Sequence, residues 1–187
     1  MERKYEDENF KLVIRRDELA DNPRVCFDNF GHMVCFHNKY CLGDRHDFSS
    51  PKEFIKTITD KNSIILPLYL YDHSGITIST APFSCPWDSG QIGWIYITKE
   101  KAKEIYGVKE ITKKIKEKII DDLKLEVEVY NMYLTNEVYC YKLYKKEGEN
   151  LIEIDDCGGF YGFDPKKNGI LESLPEEANY LLELGDD

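Results

Sequence analysis

With 187 residues, 42% of them hydrophobic and 13% aromatic, the chain has enough apolar material for a packed core, which excludes wholesale disorder. No apolar run approaches the roughly 18 residues of a membrane span, and the charged start MERKYEDENF has no secretory apolar region, so the reading is a cytoplasmic protein with no membrane partner. The formal net charge is −10, and residues 147–187 hold the whole excess, with 12 acidic side chains against Lys166 and Lys167, while residues 1–146 hold 23 of each sign. Such an end repels phosphates, so direct duplex DNA or RNA binding is disfavoured and a basic partner surface is favoured.

The elements follow in chain order. Asn9 to Arg16 alternates like a first strand, and Asp21-Asn22-Pro23-Arg24 is turn chemistry. Met33 to His37 reads as a short strand with Met33, Cys35 and His37 on one face. Ser50-Pro51-Lys52-Glu53 forms a capping box with proline at the first helical position, so a helix is expected to about Asp60, burying Phe54, Ile55 and Ile58. Ile64 to Tyr71 is apolar on both faces and belongs inside a sheet, with Pro67 marking a bulge or an edge stretch. Gly75 to Ser79 could pair back on it as a hairpin arm, and Gln91 to Ile97 is a further strand.

Thr98 caps a helix that ends at Gly107. Thr112 starts a longer one, in which Ile115, Ile119, Leu123, Val127, Tyr130 and Leu134 share a face at helical period. Its opposite face, with Lys113, Lys114, Lys116, Lys118, Asp121, Asp122 and Glu126, reads as solvated. Val138 to Tyr144 and Leu151 to Asp155 flank a hairpin turn at Glu147-Gly148-Glu149-Asn150, and Pro175 to Leu184 reads as a short acidic helix. The expected fold is α+β: one domain over 1–187 with an acidic C-terminal segment, 147–187, and a mixed or antiparallel sheet carrying three to four helices. Two small domains remain compatible with the length.

Three constellations could carry chemistry. The loop between the two central strands holds Asp72, His73, Ser74, Cys85, Trp87, Asp88, Ser89 and Gln91. Cys85 beside His73 would be an activated thiol, with Asp72 or Asp88 orienting the imidazole; equally, these residues could cap turns or line a binding loop. Cys26, His32, Cys35, His37, Cys41, Asp44, His46 and Asp47 are dense in potential ligands, but their spacing matches no standard zinc knuckle, and no metal or cofactor is assigned. Three glycines within Cys157–Phe163 suit a bulged strand or turn, or let Phe160 and Tyr161 form an aromatic wall.

Several strings together point further. Asp21-Asn22-Pro23-Arg24, His32-Met33-Val34-Cys35, Tyr40 with Leu42-Gly43-Asp44, Pro67 to Gly75, Cys85 to Gln91 and Gly159-Phe160-Tyr161-Gly162 resemble a family of small accessory proteins carried by phages and conjugative elements of Gram-positive bacteria. The resemblance spans residues 20–163. It implies a genomic setting in which small proteins often counter host defence, as anti-CRISPR or anti-restriction proteins do.

The leading expectation is therefore an inhibitor that binds a bacterial defence nuclease, or its nucleic-acid groove, through an acidic surface including Glu172, Glu176, Glu177 and Glu183. One alternative is a small nuclease or thiol hydrolase using Asp72, His73 and Cys85. Another is a pocket that sequesters a nucleotide signal, with Trp87, Phe160 or Tyr161 stacking on the base.

Overall fold

The computed structural model describes residues 2–184. In chain order its strands are β1 (Glu2–Glu6), β2 (Phe10–Arg16), β3 (His32–Cys35), β4 (Ser63–Asp72), β5 (Ile76–Ser79), β6 (Ser89–Thr98), β7 (Val138–Glu147) and β8 (Asn150–Tyr161). The helices are α1 (Pro23–Cys26), α2 (Pro51–Thr57), α3 (Lys99–Tyr106), α4 (Lys113–Leu134) and α5 (Ile170–Ser173), with a 3-10 helix at Asn179–Glu183. The class is α+β. Instead of one sheet there are two four-stranded antiparallel sheets, and the described residues form five α-helices, two of them a single turn long. No helix among the described residues is long and apolar enough to cross a membrane.

The chain divides into two compact units. The first, residues 1–21 with 136–187, contains the sheet β1-β2-β7-β8. Alternation builds its core: Leu12 and Ile14 on β2, and Tyr139, Tyr141 and Leu143 on β7, are buried on their strands. Ile170, Leu174, Ala178, Leu181 and Leu182 join that core, so the acidic C-terminal stretch is anchored by its apolar residues. That stretch forms α5 and the 3-10 helix rather than one helix from Pro175 to Leu184; Leu174, extended before Pro175, ends α5, and the turn at 176–178 separates the two. β1 goes unread in the sequence because charged residues alternate with its buried Arg3 and Tyr5. β8 continues to Tyr161 because Gly158 and Gly159 together oppose Cys140 in a bulge, with Gly159 at φ +80°. Residues 185–187 of the acidic segment lie outside the described residues.

The second unit, residues 22–135, contains the sheet β3-β6-β4-β5. α4 packs Ile119, Leu123, Val127 and Tyr130 into its core, with Ile115 and Leu134 half-buried against it. Asn131 Oδ1 accepts the Ile78 N–H at 2.9 Å, which ties α4 to β5. Pro67 lies on β4 where β5 is not yet paired, since that pairing begins at Tyr69, and the register shifts between Leu68 and Tyr69. Helix α2 stops at Thr57, short of Asp60; Phe54 is buried, but Ile55 is exposed and Ile58, the residue that ends the helix, is half-buried, because so short a helix presents a single inward position. The Glu53 N–H donates to the Ser50 hydroxyl as the capping box requires, but the Glu53 carboxylate accepts from Ser49 rather than from the Ser50 N–H. Thr98 and Thr112 cap α3 and α4, and Gly107 ends α3 in the left-handed region.

Gly93 on β6 is fixed by close approach. A Cβ there would lie 1.9 Å from the Val34 carbonyl oxygen, which is backbone and cannot swing away. Gly93→Ala must force β3 off β6. The expected loss is about 3 kcal/mol, the upper end of overpacking, seen as a lower urea midpoint at unchanged m. A native midpoint would contradict this packing.

Candidate functional site

The central loop connects the end of β4 to the start of β6 through β5. Ser74, at φ +58°, and Gly75 turn the chain, and the Asp72 N–H donates to the Asp88 carbonyl at 2.8 Å, bringing both ends of the loop together. His73 Nδ1 lies 3.2 Å from Asp88 Oδ2, and the Cys85 thiol donates to that same oxygen at 3.7 Å. Asp88 is therefore the carboxylate that orients the imidazole. Asp72 is held elsewhere, by Lys39 Nζ at 3.0 Å and by the Tyr40 hydroxyl at 3.1 and 3.2 Å. The Lys39 hydrogen bond keeps the Asp72 carboxyl below its usual range, against the opposing effect of burial and with help from the Tyr40 hydroxyl.

His73 and Cys85 thus share Asp88 instead of bonding one another. The thiol–imidazole hydrogen bond of a cysteine–histidine pair is therefore not formed here, and the base within reach of the Cys85 thiol is the Asp88 carboxylate. The His73 ring stacks on Tyr71 at 6.0 Å, and Tyr71 also meets Phe83. The Ser89 hydroxyl donates to the Cys85 carbonyl, and Gln91 Nε2 to the Gly93 carbonyl at 3.2 Å, so both act as local braces. Trp87 stands 92% exposed. Phe160 and Tyr161 belong to the first unit. There Phe160 packs on Tyr141 at 5.7 Å, and the Tyr161 hydroxyl donates to the Asp21 carbonyl at 2.8 Å.

The cysteine- and histidine-rich stretch supports a different construction. Arg24, only 7% exposed, makes a two-pronged ion pair with Asp44 at 2.8 and 2.6 Å, and also donates to Asn29 and to the Gly31 carbonyl. Asp44 further accepts from His32 Nδ1 at 3.0 Å and from the Met33 N–H at 2.8 Å. Glu126 lies 3.4 Å from Arg24 and accepts the Phe30 and Gly31 N–H groups, so this residue of the supposedly solvated α4 face turns inward. Burial raises the Asp44 carboxyl, but hydrogen bonds from His32, Arg24 and Met33 and the Arg24 charge overcome it and hold the group well below the usual range. Glu126 shifts the other way: burial dominates, because Arg24 is farther from it than from Asp44.

His37 Nδ1 accepts from the Lys39 and Tyr40 N–H groups, His46 Nε2 donates to the Cys35 carbonyl, and burial pushes the Cys35 thiol up to about 12. Cys26 and Cys41 are exposed. Among the described residues no three His, Cys, Asp or Glu side chains are grouped to hold a metal ion. The Arg24 cluster escaped sequence reading because a lone arginine at a turn gives no sign of burial; the Asn22 cap that starts α1 directs it inward.

Charge separates cleanly between the units. The first holds 20 acidic and 10 basic side chains, the second 15 of each. Glu172, Glu176, Glu177 and Glu183 are all exposed, and among the described residues none is in a salt bridge. On the edge strand β8, Leu151, Ile152 and Ile154 are exposed, as is Glu153 between the two isoleucines. Comparison with protein-family models, curated proteins and solved structures finds no match.

Proposed function

We propose that this protein inhibits a bacterial defence nuclease by laying its acidic first unit on the basic surface that nuclease uses for nucleic acid. The observation that carries this reading is the partition of charge: one compact unit bears the entire net −10, with its C-terminal glutamates exposed and unpaired among the described residues. Carboxylates on a folded frame compete for lysines and arginines that otherwise contact phosphate. The apolar side chains of β8 add a contact that outlasts salt screening, as the apolar centre of an interface does. The resemblance to small proteins of phages and conjugative elements supplies the setting.

The test uses a purified CRISPR effector nuclease loaded with guide RNA and pre-incubated with this protein, with target cleavage and guide length read on one denaturing gel. The expected result is blocked cleavage with an intact guide. Cleavage at the uninhibited rate contradicts the reading for this class of nuclease. A shortened guide contradicts it in favour of RNA hydrolysis at the exposed His73–Asp88 pair.

A further inference from the structure

The second unit, neutral overall, has a cleft of about 940 Å3 lined by Arg24, Arg45 and Lys101 against the single carboxylate of Asp44. A positive cleft runs against the composition of a chain with net charge −10. Its volume lies within the roughly 300–1,000 Å3 of small-molecule sites and far exceeds that of a lone inorganic ion. Arg24 is taken up by two carboxylates, Asp44 in a two-pronged contact and Glu126 at 3.4 Å, so the cations left for a ligand are Arg45 and Lys101. Arg45 is exposed, with no ion pair among the described residues. Lys101 has only an open contact with Glu104 at 3.3 Å, where both side chains are mostly in solvent.

His32 completes the group. A carboxylate only accepts hydrogen bonds, so the contact with Asp44 places the ring proton on Nδ1 and leaves Nε2 of the neutral ring as an acceptor for a ligand hydroxyl. The side chain is 42% exposed on the cleft, and its ring is held edge-on by Tyr96 at 5.7 Å. Thr98, the cap of α3, lies in the same wall, so the positive end of that helix faces the cleft as well.

We propose that this cleft binds a nucleotide-sized phosphate ester, with the phosphate held by Arg45 and Lys101, His32 Nε2 accepting from a hydroxyl of the ligand, and the organic body lying against Tyr96 and Phe30. The lining residues all belong to the second unit, and the site does not depend on the inhibitor reading.

Calorimetric titration of the full chain with adenosine 5′-monophosphate, and with adenosine as control, tests the site. Saturable binding is expected for the monophosphate and not for adenosine. Arg45→Glu and Lys101→Glu should each weaken binding about tenfold or more at an unchanged melting temperature, since each removes one charge-assisted contact from an exposed side chain. Adenosine binding as tightly as the monophosphate, affinity unmoved by both reversals, or no heat of binding up to about 10 mM ligand would each overturn the proposal.

Discussion

Arg24→Ala lowers the melting temperature of the second unit by on the order of 10 °C. The guanidinium is the only cation in contact with Asp44 and Glu126 among the described residues, apart from the titratable His32. Its removal leaves two carboxylates partly out of water with no compensating charge and deprives the Gly31 carbonyl of its donor. Breaking a buried ion pair from one side costs about 3–5 kcal/mol, and a chain of this size loses about 2–4 °C per kcal/mol. Arg24→Lys should fall between the two, because a point charge cannot reproduce the two-pronged contact with Asp44. A native melting temperature for Arg24→Ala would show that the cluster carries no net stability.

Acid exposes the same cluster. Asp44 is held below its ordinary 3.8 in the folded state, so the stability it contributes is complete above that value and is lost as pH falls toward the folded one. Glu126 has the opposite sign: it is raised above its ordinary 4.5, so its contribution is complete below 4.5 and fades as pH rises through the folded value. The native chain should therefore lose stability as pH drops below about 4, and Arg24→Ala, with less depression of Asp44 to lose, should lose less over that range.

Local signals in the sequence translated well into local structure. Thr98, Thr112 and Ser50 cap the helices read from them, because a cap and its first turn are neighbours in the chain. The face of α4 from Ile119 to Tyr130 is the buried one. The number of sheets was not legible: β2 pairs with β7 across more than a hundred residues, and nothing local marks Ile14 as the partner of Tyr141. The candidate site divides the same way. Asp88 was one of two carboxylates that spacing allowed for His73, and the backbone bond closing the loop between Asp72 and Asp88 selects it. Phe160 looked like a free aromatic and is instead packed against Tyr141, because the β8 bulge carries it round to that face.

The acidic unit is the centre of the functional reading, and its charge can be removed without touching the core. The fourfold variant Glu172→Gln, Glu176→Gln, Glu177→Gln and Glu183→Gln keeps every buried residue of the unit. The decisive measurement is the inhibition constant against the guide-loaded nuclease, for the native and fourfold-variant chains, across a salt series. The expected result is a loss on the order of 100-fold at low salt, shrinking as salt rises, together with a flatter salt dependence for the variant. Equal constants and equal slopes for the two chains would contradict an inhibitor that works through its carboxylates.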